Sequence, residues 1–244
     1  MEHSSRTVGH RLKYFISALI LGATLLFGLS FSQAEPHKSP ASSTGTTVIT
    51  AEASLDTNQS AATGLETLAI KGRAPKTGYT RAQFGDGWER SNGCDTRNRI
   101  LARDLKDITY EVNSCLVVTG ILNDPYTAKT ISFMRGTETS SAVQIDHVVA
   151  LSDAWQKGAQ LLTPTLREAL ANDPLELLAV DGQANQIKSD GDAATWLPPN
   201  KDFRCSYVAR QISVKIKYSL WVTPAEKGAM QDVLGQCPNE PLVK

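Results

Sequence analysis

The sequence predicts an α+β fold: a strand–strand–helix unit inside a mostly helical single domain, with a β-hairpin and two disulfides. Three observations carry this expectation. The run Ala142–Leu151 is apolar and β-branched like a buried strand, yet two adjacent polar side chains, Asp146 and His147, interrupt it. A second short apolar run, Leu175–Val180, is turned by Asp181-Gly182 into a stretch, Gln183–Ser189, that suits a short helix. Four cysteines follow an apolar leader, a pattern that reads as disulfides.

The leader comes first in the chain. Arg6, His10, Arg11 and Lys13 precede the uncharged apolar run Tyr14–Phe31, and Ser32-Gln33-Ala34 follows as a small-x-small site. Residues 1–34 therefore read as a secretory signal peptide cleaved after Ala34, and an uncleaved membrane anchor is the alternative. Residues 35–66 are rich in Ser, Thr and Ala and read as a disordered linker, because they offer little apolar surface to offset chain entropy. Residues 67–244 are left as one folded domain with a sizeable core.

Charge narrows the function classes. Lys plus Arg equal Asp plus Glu at 25 each over the whole chain, and after residue 34 the balance is −2. Such a balance argues against a general basic coat for nucleic acid, so any polyanion site is local. Cys94, Cys115, Cys205 and Cys237 form no C-x-x-C pair and lie far from any histidine, which argues against zinc. Three pairings are possible; Cys94–Cys115 and Cys205–Cys237 are favoured because each closes a modest loop within one half of the domain.

Within the domain, Phe84-Gly85-Asp86-Gly87-Trp88 reads as a turn pinned by an aromatic at each end. Asp95 caps an expected helix from Thr96 to about Leu105, with Arg97, Arg99 and Arg103 as a solvated face. Cys115–Leu122 and Thr130–Phe133 are β-rich and flank the turn-forming Asn123–Thr127, a hairpin pattern. Helices are expected from Ser152 through Trp155, over Thr165–Ala171, and over Asp202–Trp221, where Val208, Ile212, Ile216 and Leu220 repeat every four residues. Arg210, Lys215 and Lys217 then form an ordinary charged face. Asp190 and Asp192 read as loop carboxylates. Thr223-Pro224-Ala225-Glu226 is a capping box that opens a last helix, ended at Gly235.

The chemistry concentrates on His147. Of four histidines, the other three lie before residue 40, so any histidine chemistry in the folded part falls to this one. Imidazole suits a general base near neutrality. Asp146 offers a carboxylate and Asn185 an amide oxygen, the donors that hard cations prefer. Neighbours on a strand point to opposite faces, so the strand end must bend or splay if Asp146 and His147 serve one centre. Lys188, three residues after Asn185, is either a phosphate contact or a solvated lysine.

Strand with Asp-His, second strand, turn, and helix with Asn185 and Lys188 together resemble the HNH, or ββα-metal, endonucleases. The wider stretch Cys94–Trp221 is similar to the C-terminal nuclease domain of GmrSD-type modification-dependent restriction systems. The resemblance rests on Cys94-Asp95-Thr96-Arg97-Asn98, Gln144–Leu151, Asn172-Asp173-Pro174-Leu175, Leu178–Gly182, Ala184-Asn185-Gln186 with Lys188, and Ala194–Asn200. It implies a ββα-metal core, His147 as general base, and one divalent cation, Mg²⁺ or else Mn²⁺, held by Asp146 and Asn185. Family members often carry Asn nine residues before the helix Asn, steadying the loop that positions the histidine; here Glu176 stands there. Glu176 either orients His147 by accepting from its ring or leaves that loop to be held differently. Lys188 and Arg210 are the remaining candidates for phosphate contact or support.

The expected protein is thus a secreted nuclease acting on nucleic acid, DNA first, as a monomer without an obligate protein partner. The rival reading is a degenerate domain that binds nucleic acid or a protein without cleaving. A Ser-His-Asp hydrolase is disfavoured, since no G-x-S-x-G turn is present.

Overall fold

The computed structural model describes residues 59–244. The leader, its cleavage site and the linker up to residue 58 lie outside the described residues. The folded domain starts before residue 67, contrary to the linker boundary expected at 66. Helix α1 (Ala61–Thr67) is capped by Ser60, whose side chain accepts from the Thr63 N–H at 3.2 Å, and it packs on the two last helices. Ala61 and Leu65 supply its buried face, which is enough for a helix this short to dock despite its polar composition.

Strands β1 (Arg90–Ser91) and β2 (Cys94–Asp95) form a minimal antiparallel pair leading into α2 (Thr96–Asp104). Asp95 caps α2 by accepting from Asn98 N–H at 2.7 Å. The expected hairpin, β4 (Val117–Asn123) with β5 (Thr130–Met134), is part of a three-stranded sheet, because β3 (Lys106–Tyr110) adds an edge. Only Ile108 of β3 is even partly buried. An edge strand wet on both faces shows no apolar alternation, so sequence pattern had nothing to register.

The ββα unit is present. β6 (Val143–His147) pairs antiparallel with β7 (Leu177–Asp181), placing His147 opposite Leu177 and Asp146 opposite Leu178; α5 (Gly182–Lys188) follows directly. Asp181 caps α5. A Cβ on Gly182 would lie 2.0 Å from the Ser141 carbonyl oxygen, so only glycine lets α5 start this close to the turn before β6. Between the two strands come α3 (Leu151–Gln156) and α4 (Pro164–Asn172); α6 (Arg204–Lys217) and α7 (Pro224–Leu234) close the chain. β6 ends at His147 rather than running on to Leu151. Val148 and Val149 are buried as apolar residues in a loop, which pattern alone cannot tell from strand.

The β6–β7 ribbon is buried on both faces. Val143, Ile145, Leu177 and Ala179 join Ile100, Leu101, Val117 and Phe133 in one core. Leu178 and Val180 face the larger core of Leu65, Val148, Leu170, Tyr207, Val208, Ile212 and Met230. Both expected disulfides, Cys94–Cys115 and Cys205–Cys237, are formed. Among the described residues no helix is long and apolar enough to cross a membrane.

Several cations expected in solvent are structural. Arg97 donates to the Val143 carbonyl at 3.1 Å, and Arg103 donates to those of Pro174 and Leu177, both at 2.7 Å; Arg97 is half-buried, while Arg99 and Arg103 stay exposed. Lys215 and Asp192 are buried in an ion network: Lys157 meets Asp153, Asp192 and Glu226 at 2.6–2.8 Å, Arg73 meets Asp153 and Asp192 at 2.7 Å, and Lys215 meets Glu226 at 3.0 Å. Three cations face three carboxylates, so the charges balance.

Candidate active site

Strand alternation sorts the site. Gln144 and Asp146 lie on the face of β6 that meets α5; His147 lies on the opposite face. The strand ends at His147, and a cavity of about 380 Å³ wraps around that end. Asp146, His147 and Asn185 all line it, beside Tyr79, Arg81, Ser152 and Asp190. No bend within the strand is needed: its terminus exposes both faces to one space.

Asp146 is 5 % exposed. Its Oδ2 accepts from the Tyr126 hydroxyl at 2.5 Å and its Oδ1 from Lys188 Nζ at 3.0 Å. Burial pushes the carboxyl up, while Lys188 and the Tyr126 hydroxyl pull it back. Lys188 is buried and also donates to the His147 carbonyl at 2.8 Å. Its ammonium is thus turned to Asp146 and the strand end.

The His147 ring is fixed on two sides. Nε2 lies 3.0 Å from the Ala171 carbonyl, which can only accept, so Nε2 carries the proton. Trp88 stacks on the ring at 5.7 Å between centroids, with planes 8° apart. Nδ1 makes no hydrogen bond among the described residues. Burial lowers the ring to about 3 against the weaker pull of the Ala171 carbonyl, and Arg81 and Lys188 add to the lowering. The imidazole is neutral at pH 7, with Nδ1 holding a free lone pair.

Glu176 does not touch the His147 ring. Fully buried, it receives the Val149 N–H on both carboxyl oxygens at 3.2 Å, and its own carbonyl receives the Val148 N–H at 3.0 Å. The loop after His147 is thus held through its backbone. Burial pushes the Glu176 carboxyl well above the usual range. Arg210 is not at the site: it donates to the Leu175 carbonyl at 2.9 Å and lines a separate groove with Arg103 and Lys217.

Asn185 donates Nδ2 to Gln144 Oε1 at 2.9 Å. Gln144 Nε2 points at the Ser141 carbonyl, which fixes both amides and leaves Asn185 Oδ1 without a hydrogen bond among the described residues. A hard cation fits this set. A carboxylate has about four lone-pair sites, two of which are used here, and the amide oxygen is free. Among the described residues no three His, Cys, Asp or Glu side chains form a metal cluster.

Sequence reasoning missed Tyr126, Trp88, Arg81 and the Ala171 carbonyl. Only Trp88, in its glycine-rich turn, carried a signal, and that was read as a pinned turn. The turn is a wall of the site, and α4 anchors it at both ends: Arg167 donates to the Gln83 carbonyl at 2.7 Å, and Asn172 accepts from the Glu89 N–H at 2.8 Å. The same helix supplies Ala171.

The ββα unit brings an acid, an imidazole and an amide to one cavity at the end of β6. The family described as GmrSD restriction endonucleases, C-terminal domain, matches residues 95–233, more than half of the chain, and the chain belongs to that family. It is also 36 % identical over 186 residues to an "Uncharacterized secreted protein" of Arthroderma benhamiae, covering 75 % of this chain and 86 % of that one. No solved structure matches. Together with the two disulfides, the relative's description agrees with an extracellular location.

Proposed function

We propose that the domain is a secreted, metal-dependent endonuclease that hydrolyses phosphodiester bonds of nucleic acid, DNA first. One observation carries the reading: an imidazole with one nitrogen held by the Ala171 carbonyl shares a cavity with the Asp146 carboxylate and the Asn185 amide. Asp146 and Asn185 would hold one divalent cation, Mg²⁺ or Mn²⁺. Once bound, the cation supplies positive charge beside the scissile phosphate and stabilises the departing oxygen.

The chain's own groups do the rest. His147 Nδ1 takes the proton of the attacking water. The Ala171 carbonyl, accepting from Nε2–H, stabilises the charge that then develops on the ring, and Trp88 keeps its plane. Arg81, exposed on the cavity wall, offers a guanidinium to the phosphate. Lys188 and Tyr126 hold Asp146 in one orientation. Products should carry 5′ phosphates.

Plasmid digestion with and without EDTA tests this on the wild type and His147→Ala. Cleavage that stops with EDTA and with the substitution is expected; a His147→Ala protein as active as the wild type overturns it. A second reading, binding without cleavage, is favoured by one observation: both Asp146 oxygens already accept from the protein. Calorimetric Mn²⁺ titration separates the two, since a ligand role requires Asp146→Ala or Asn185→Ala to weaken binding.

A further inference from the structure

The polar cavity has a neighbour. A second cavity, about 360 Å³, shares Arg81, His147 and Leu151 with it. The rest of its wall is different in kind: Ala82, Phe84, Gly85, Asp86, Gly87, Trp88 and Ala171. One compartment thus carries the acid, the amide and the imidazole, and the other carries mostly aromatic and aliphatic surface, with the Asp86 carboxylate on its wall. They meet at a cation and the candidate base.

A nucleotide has the same two parts. Its phosphate needs cations and oxygen-seeking groups, and its base needs a flat, mostly apolar slot with aromatic edges or faces. Volumes of about 300 Å³ and above are those of small-molecule sites, so the slot has room for a single base. Its wall is preorganised. Arg167 and Asn172 pin the 81–89 segment to α4, and Phe84 packs edge-on against Tyr79 and Trp155, at 6.3 Å from each. Gly87 has no heavy atom within 4 Å of where a Cβ would stand, and its φ of +114° disfavours any side chain there, so the wall stays low.

We infer that this second cavity is a nucleobase subsite that receives an unstacked base flanking the scissile phosphate, which makes single-stranded or locally opened nucleic acid the preferred substrate. The inference rests on the nuclease reading above and adds the form of the substrate. Inside a duplex each base is paired and stacked, and drawing one into the slot costs several stacking contacts; a single strand has little to lose. Because every base has a flat apolar face, the subsite is tolerant of sequence.

The test is a single-stranded oligonucleotide with one abasic residue at a defined position, digested by the protein and mapped bond by bond. Cleavage beside the abasic residue should fall about tenfold below that at the other bonds of the same strand. Ala82 is exposed and lines only the second cavity, so Ala82→Trp fills the slot without disturbing the core. In that variant, cleavage beside bases should fall to the level seen at the abasic position. Uniform cleavage across the abasic residue by the wild type overturns the subsite while leaving the nuclease reading intact. Absence of cleavage at every bond overturns the nuclease reading instead, and binding then decides the subsite. In calorimetry with EDTA present, thymidine 5′-monophosphate should bind about tenfold more tightly than 2-deoxyribose 5-phosphate, and Ala82→Trp should erase the difference. Equal affinities would sink the subsite.

Discussion

Lys188 Nζ lies 3.0 Å from Asp146 Oδ1, with the lysine side chain fully buried and that of the aspartate 6 % exposed. The pair joins the helix of the ββα unit to its first strand, and the same ammonium reaches the carbonyl of His147. A lysine at this sequence position invites a phosphate-binding role. Of the two roles the sequence left open, phosphate contact or support, its burial and its two hydrogen bonds favour support of the acid.

Removing the cation alone should therefore be costly. Lys188→Met leaves Asp146 buried without its partner, and breaking a buried pair in this way costs on the order of 3–5 kcal/mol. Urea denaturation should show a lower midpoint. In the double variant Asp146→Asn, Lys188→Met, much of the loss should be regained, because no uncompensated charge remains. A double variant as unstable as the single would show that the pair is not what stabilises this contact.

The imidazole makes a pH prediction. The unfolded ring titrates near 6.5 and the folded ring near 3. Between those values the unfolded chain binds one more proton, so this contribution to stability is complete above pH 6.5 and is lost as pH falls towards 3. Denaturation at pH 7 and pH 5 should show a larger loss in the wild type than in His147→Asn. Equal losses would mean that the ring is not buried in its neutral form.

The ion network makes a sharper one. In Lys157→Met, three carboxylates, Asp153, Asp192 and Glu226, are left with Arg73 and Lys215. Lys157 and Glu226 are wholly buried. The expected cost is again on the order of 3–5 kcal/mol, read as a lower urea midpoint at an unchanged slope. A midpoint within error of the wild type would place the network outside the folding core.

Arg81 separates binding from folding. It is exposed, so Arg81→Ala should melt like the wild type. If the guanidinium meets a phosphate, KM should rise. The slope of log affinity against log salt should also become shallower by about one unit. A KM and a salt slope equal to the wild type's would remove Arg81 from the substrate path.

The order of the ββα unit was legible in the sequence because each part has a local signature. The β-branched run before His147, the Asp181-Gly182 turn and the helix carrying Asn185 each declare themselves within ten residues. Four cysteines, paired by loop size, gave both disulfides correctly. The single histidine of the folded part singled out His147, and the structure brings it together with Asp146 and Asn185 in one cavity.

What tertiary structure decided is who touches whom across long separations. Tyr126 meets Asp146 from 20 residues away, Ala171 meets His147 from 24, and Lys157 meets Glu226 from 69. None of these leaves a periodic trace, because a hydrogen bond to a carbonyl or a buried ion pair constrains one atom, not a pattern. For the same reason the cations Arg103 and Lys215 read as solvated in sequence and proved bound to backbone carbonyls or buried. Charge type is written in the chain; whether water or protein surrounds it is set only when the elements pack.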